Sequence, residues 1–324
     1  VFFNIFGNYW NSKMSEKRYP YINDSEELEP EEKKDIWSNI QSMFLYKVGG
    51  VILNNTDNIL ISKLVGTLEV GFYSNYSLVL NKVGNLTALV FTSLQASLGS
   101  MNVEADARQK KFVFDTLSLI SFWVYGFCSI CFCLLFQDFI TIWLGEGYLL
   151  SRNCMYICVA NYYLQGVLYP IWCFRNTTGL FRETKYTMLV ASVLNIGLSI
   201  IWGIEWGMSG ILLATIVSRL CTNVWYDPYR LFKSYFGTSV RPYYFTEIGR
   251  ILFLVGFIAA SEFLFAKIAM PVGWPCLLIK AFYCVVVANA LLFLHYHRDE
   301  HFRFLMEKAR TMSMSIMKKG KNRI

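Results

Sequence analysis

The chain has 324 residues, 55% of them hydrophobic and 17% aromatic, and a formal net charge of +7. Its apolar residues are gathered into stretches of bilayer length, which excludes a soluble globular core. Most of the positive charge lies beside those stretches, where it orients a membrane protein and attracts anionic lipid; this excludes nucleic acid as a partner.

In chain order, residues 1–10 read as the last turns of a preceding apolar membrane helix, and with no initiator at Val1 the chain reads as a fragment lacking its N-terminal portion. Residues 11–43 form the only long polar stretch, a cytoplasmic inter-lobe linker with an acidic run over 26–35 around Pro30 and a short amphipathic approach helix at 36–40. Eight apolar stretches follow: 44–66, 72–99, 112–136, 154–174, 186–204, 208–226, 246–266 and 276–296. Each is close to the roughly 20 residues a helix needs to cross about 30 Å of hydrocarbon. The spacing therefore predicts an all-α integral membrane protein, with a transmembrane lobe of eight helices over 44–296. Residues 297–324 make a basic cytoplasmic tail, which either lies on the inner leaflet with Met312, Met314 and Met317 between its charges or is a plain disordered tail.

Lys and Arg sort by connection. One set holds Lys13, Lys17, Arg18, Lys33 and Lys34, then Arg108, Lys110 and Lys111, then Arg175, Arg182 and Lys185, then Arg230, Lys233 and Arg241, and finally the tail. The alternate connections hold only Arg152 and Lys267. Positive charge marks the cytoplasmic side, so the linker and the C-terminus are expected there, in a multi-pass protein of the inner (cytoplasmic) membrane.

All 9 cysteines lie in or at the edge of apolar stretches, and free Cys behaves as a small buried hydrophobe. A zinc clip at Cys128, Cys131 and Cys133 would need a fourth ligand and thiolates that lipid disfavours. His295, His297 and His301 cluster where the last stretch leaves the membrane and read as interfacial polar residues. There is no glycine-rich phosphate loop and no Ser/His/Asp or Cys/His constellation, so neither an enzyme nor a metal or cofactor is expected.

Polar side chains inside apolar helices face a partner or an aqueous cavity. Helical spacing collects Lys47, Gly50, Asn54, Asp57 and Asn58 in the first stretch, Asn75, Lys82, Asn85 and Thr92 in the second, and Asn161, Gln165, Tyr169 and Trp172 in the fourth. The sixth carries Thr215, Arg219, Thr222 and Tyr226; the third (Asp115, Ser118, Tyr125, Ser129) and fifth (Ser192, Asn195, Ser199, Trp202) are weaker. Ser and Thr positions suit bonding between helices. Asp57, Lys82 and Arg219 lie near mid-stretch, where an isolated charge costs about 2.5–3.5 kcal/mol, so they need each other, water or a charged ligand. An Asp57–Lys82 pair is expected, leaving Arg219 unaccounted for. Glu262 and Lys280 are expected to pair across the last hairpin, and Glu247 and Arg250 to snorkel at the membrane edge.

Asp57-x-Ile59-x-Ile61, Gly66, Glu69-Val70-Gly71 and Tyr73-Ser74 open a series of motifs. They continue with Phe139-Ile140-x-Ile142-Trp143-Leu144-Gly145, Asn176-x-x-Gly179 with Arg182, Asn195-x-x-Leu198-Ser199, Gly207-x-x-Gly210-Ile211 and Ala214-Thr215. In order and spacing the chain resembles the bacterial polysaccharide (O-antigen and exopolysaccharide) flippases of the multidrug/oligosaccharidyl-lipid/polysaccharide exporter superfamily. One departure is that Ala96-Ser97-Leu98-Gly99 stands where members often carry a proline.

The resemblance implies the C-terminal lobe of a fourteen-helix, two-lobe transporter. It also implies a cargo of oligosaccharide linked to polyprenyl pyrophosphate, moved from inner to outer leaflet for surface polysaccharide biosynthesis. Arg219 and Lys82 would meet the pyrophosphate, with Asn54, Asn85, Asn161, Gln165, Trp172 and Tyr226 lining the sugar cavity. Asp57 is the carboxylate placed to bind H+ or Na+ as a driving ion. The alternative is a cation-coupled exporter of drugs or other small molecules in the same superfamily. A membrane-embedded glycan polymerase would want paired catalytic residues on a large outer loop, and residues 137–153 hold only Asp138, Glu146 and Arg152.

Overall fold

The computed structural model describes residues 2–23, 29–104, 106–268 and 270–321. Glu26 and Glu27 of the acidic run and the side chains of Met312, Met314 and Met317 lie outside the described residues. Among the described residues the regular elements are all helical: α1 (Phe2–Arg18), α2 (Pro30–Leu64), α3 (Thr67–Glu104), α4 (Ala107–Leu144), α5 (Arg152–Thr178), α6 (Phe181–Thr184), α7 (Thr187–Cys221), α8 (Asn223–Leu231), α9 (Arg241–Ile268), α10 (Trp274–Tyr283), α11 (Asn289–Tyr296) and α12 (Glu300–Lys321). A π-helical turn over Cys284–Ala288 joins α10 to α11.

The chain divides into two units, Val1–Gln41 and Ser42–Ile324. In the first, α1 is exposed from Asn8 to Arg18, with Phe6 stacked on Trp10 at 6.3 Å and Lys13 set over the Tyr9 ring at 5.7 Å. All the polar chemistry described below belongs to the second unit.

Four segments are long and apolar enough to cross a membrane: Ala107–Leu144, Phe181–Phe236, Arg241–Ile268 and Trp274–Tyr296. The protein is thus an all-helical, multi-pass membrane protein, although length and composition single out four segments rather than the eight expected. The difference has two physical sources. Apolar stretches 44–66, 72–99 and 154–174 lie on α2, α3 and α5, but the asparagines, glutamine and charges they carry lower their apolarity. Stretches 186–204 and 208–226 both fall within Phe181–Phe236.

That 56-residue segment is not straight. Asn195 Nδ2 donates to Thr215 Oγ1 at 2.9 Å across a separation of 20 residues, a distance that a continuous helix would stretch to about 30 Å. The reversal lies at Gly207, whose φ of 60° and ψ of −139° are open only to a residue without a Cβ. Beyond it the two arms of α7 touch: a methyl group on Gly210 would collide with the Trp202 carbonyl, and one on Gly203 with Ile211. Glycine is therefore needed both for the turn and for the close approach of the arms.

Around this hairpin α5 is the central post, packing on α3, α4, α7 and α8. Gly166 of α5 lies flat against the Tyr125 ring of α4, and Ser121 Oγ donates to the Gly166 carbonyl at 2.6 Å. At one end of the bundle Phe114, Phe174, Phe232, Phe236 and Tyr243 form an aromatic cluster with centroids 5.3–5.8 Å from Phe114. α12 docks there too: Phe302 stacks on Trp123 at 5.3 Å, and His301 packs on Phe112 at 4.5 Å. The tail therefore starts as a helix seated on α4.

Two expectations about charge are corrected. Lys280 bonds Asp138 of α4 at 2.6 Å, while Glu262 accepts from Tyr156 of α5, so these two charges tie the last hairpin to α4 and α5 rather than to each other. Glu247 and Arg250 do not snorkel: both are buried, paired with each other and bonded to Ser118 of α4. A buried charge requires a partner, and each cation finds a carboxylate, Lys280 on α4 and Arg250 on its own helix.

Candidate functional site: a two-compartment polar cavity

α2, α3, α5 and the second arm of α7 surround a cavity of about 370 Å³. Asn54, Asn55, Asp57 and Asn58 project into it from α2, and Asn161, Gln165 and Tyr169 from α5. On α3 the wall is Tyr73, Ser77, Asn81, Asn85 and Ala88, a ridge spaced three or four residues apart. Tyr125 of α4 and Thr215 and Arg219 of α7 complete it.

A bond network fixes the far wall. Thr215 Oγ1 donates to the two Asp57 carboxylate oxygens at 3.1 and 3.2 Å, and itself accepts from Asn195. Arg219 Nη2 donates to Asn54 Oδ1 at 2.6 Å. Arg219 is 1% exposed, and its Nε and Nη1 have no hydrogen-bond partner. Asp57 and Arg219 thus share the cavity without an ion pair between them. Asn161 Nδ2 donates to the Leu212 carbonyl at 3.2 Å, leaving its Oδ1 buried and free.

A second compartment of about 630 Å³ adjoins the first through Asn54, Asn55 and Tyr169, toward the N-terminal end of α2. Tyr46, Lys47, Trp172, Arg175 and Asn176 line it. α2 meets α7 there at Gly49, where a Cβ would run into the backbone of Met188 and Leu189.

Of the residues singled out from sequence, Asn54, Asp57, Asn85, Asn161, Gln165 and Arg219 share the first compartment, and Trp172 lines the second. Lys82 lines neither: it is exposed, one position along α3 from Asn81 and so about 100° round the helix from the wall. Asp57 bonds Thr215 and not Lys82, so the expected pair does not form. Tyr226 also lies off the cavity. Its stripe assumed one helix from Thr215 onward, but the backbone leaves helical geometry at Thr222 (φ −128°, ψ −98°), and Tyr226 restarts on α8 with its ring against Trp225.

Sequence reasoning missed one cluster. Arg175, counted there as a loop charge, is 5% exposed at the end of α5, with its guanidinium 3.7 Å from the centroid of the Tyr46 ring. Asp227 lies 3.6 Å from Arg175 Nη1 and accepts from the Tyr46 hydroxyl at 3.3 Å. An Asp-Pro pair directly after an apolar stretch was the available signal, but nothing in the sequence joins it to Arg175.

Chemically, the first compartment offers amide donors and acceptors, phenol rings and one guanidinium with two unpaired nitrogens. This set suits a hydroxyl-rich ligand bearing an anion.

Residues 28–152, from just before α2 to the first residue of α5, match a family described as polysaccharide biosynthesis protein. The match includes the α2 and α3 walls of the cavity and the motifs from Asp57 to Gly145, and ends before Asn176-x-x-Gly179. No curated protein and no solved structure matches the chain. Over residues 28–152 the chain carries the pattern of the polysaccharide biosynthesis proteins, which agrees with its likeness to polysaccharide flippases and supports a role in polysaccharide biosynthesis or export.

Proposed function

We propose that the protein moves oligosaccharide units linked to polyprenyl pyrophosphate from the inner to the outer leaflet of the cytoplasmic membrane, as a transporter and not an enzyme. The observation that carries this reading is Arg219, fully buried in a polar cavity inside an apolar bundle with its Nε and Nη1 unpaired. A charged, hydrated sugar head cannot cross hydrocarbon unaided. A wall of asparagine, glutamine and tyrosine replaces its hydration, and Arg219 takes the pyrophosphate by bidentate contact. The polyprenyl tail stays in lipid while the cavity opens by turns to either leaflet. With Lys82 off the wall, the pyrophosphate contact in this compartment rests on Arg219. Asp57, held ready by Thr215, is the group that binds a driving H+ or Na+. The C-terminus and the N-terminal end of α2 face the cytoplasm in this reading, as the basic residues require.

The test is an assay of lipid-linked sugar reaching the outer face. Arg219→Ala should abolish translocation with insertion and abundance intact, and Arg219→Lys should keep part of it. Normal translocation by the alanine variant overturns the reading.

A further inference from the structure

We infer that Arg175 and Lys47 form a second anion site, an inner station that takes a phosphate or diphosphate group before it reaches Arg219. As a step in translocation this rests on the function proposed above; as a binding site it does not.

The observations are independent of the first compartment. Arg175 is 5% exposed and lines the second compartment, yet its Nε and Nη1 make no hydrogen bond. Its remaining contacts fix the side chain without satisfying it. Rings lie on two sides, Tyr46 at 3.7 Å and Phe181 at 5.3 Å. Asp227 stands 3.6 Å from Nη1, an ion pair too long to be a hydrogen bond, and Nη2 reaches only Asn176 Oδ1 at 3.4 Å. A purely structural arginine would direct its N–H groups at acceptors, because leaving a buried donor unpaired costs about 1–3 kcal/mol. Stacked rings orient the guanidinium plane, and its unpaired Nε and Nη1, which lie on either side of Cδ, each offer a single charge-assisted N–H contact to a phosphate oxygen. Lys47, exposed on the same cavity wall, adds a second cation, and Trp172 offers a ring face beside it.

Position makes this a separate station. Arg175 packs on Tyr46 and Arg219 bonds Asn54, eight residues further along α2, a rise of about 12 Å. Arg175 and Arg219 are thus anchored at different levels of the α2 wall, and the anion meets them in turn. The shared wall at Asn54, Asn55 and Tyr169 is the passage between them.

The experiment uses the full chain in nanodiscs of neutral lipid, with inorganic pyrophosphate as the probe and intrinsic fluorescence as the readout. The part of the signal that is lost in Trp172→Phe reports the second compartment. Saturable quenching of that part is expected. It should weaken about tenfold in Arg175→Lys, which keeps the charge but loses the ring-stacked guanidinium N–H groups, and severalfold in Lys47→Gln, where an exposed side chain leaves folding untouched. Lys82→Gln, off both walls, should bind as the unaltered chain does. Absence of a saturable Trp172 signal, or unaltered affinity in both Arg175→Lys and Lys47→Gln, overturns the proposal. A parallel set of discs containing phosphatidylglycerol separates the sources. Competition by that lipid assigns the site to bulk phospholipid headgroups, and indifference to it assigns the site to a diphosphate cargo; either supports an anion site. Failure of pyrophosphate to bind refutes the inner station alone, whereas normal translocation by Arg219→Ala refutes the transport reading and leaves the binding result standing.

Discussion

Arg219 and Asp57 illustrate how a buried charge is kept usable. Each has a fixed neutral partner, Asn54 for the guanidinium and Thr215 for the carboxylate, and neither is spent on the other. A direct ion pair would quench both, whereas neutral partners orient each group and leave it able to take a ligand. Replacing Asp57 by Asn keeps the shape and the Thr215 contact while removing the charge. In proteoliposomes with an imposed H+ or Na+ gradient, Asp57→Asn should still bind cargo but lose the stimulation by the gradient. A stimulation equal to that of the unaltered protein would remove Asp57 from ion coupling.

At the scale of the element, the cavity depends on two glycines, one needed for its backbone conformation and one for a close approach between helices. Gly207 turns α7 back on itself, which brings Asn195 to Thr215 and so completes the wall behind Asp57. Gly207→Val places a β-branched residue at positive φ, a strain of about 1–3 kcal/mol. The purified variant should melt at a lower temperature and translocate less. Gly49→Leu drives a side chain into the Met188–Leu189 backbone, an overpacking of at least about 1–3 kcal/mol. Its folded yield on size-exclusion chromatography should fall well below that of Gly50→Ala, whose Cβ meets nothing within 4 Å. Equal yields would show that the α2–α7 approach is looser than described.

Across the whole molecule, the polar groups form one continuous system inside an apolar bundle. The two compartments of about 370 and 630 Å³ join through Asn54, Asn55 and Tyr169, so a ligand has a single polar route along α2. Elsewhere in the bundle two charge pairs hold structure: Lys280 of α10 with Asp138 of α4, and Arg250 with Glu247 one turn earlier on α9. With peptide-level mass spectrometry of a membrane-impermeant thiol reagent, Asn85→Cys should label and be protected by added cargo. Lys82→Cys, off the wall, should show no protection. Cargo protection at both positions would place Lys82 in the cavity after all.

The amino-acid sequence by itself determined the class of molecule and most of the polar wall. Composition and stretch length specify an all-helical membrane bundle, because each stretch must satisfy its own backbone in lipid. Six of the nine singled-out residues were found in one compartment: five on α2, α3 and α5, where helical spacing projects faithfully, and Arg219 on the second arm of α7. The motif glycines Gly145, Gly179 and Gly207 were legible as punctuation, and all three take positive φ. Only the tertiary structure decided the partners. Lys82 missed the wall by one position of helical phase, Tyr226 was turned away by a backbone break at Thr222, and Arg175 found Asp227 from 52 residues away. Periodicity fixes which face a residue occupies within its own helix; which helix covers that face, and where a helix breaks, are set by packing between segments that the local pattern does not encode.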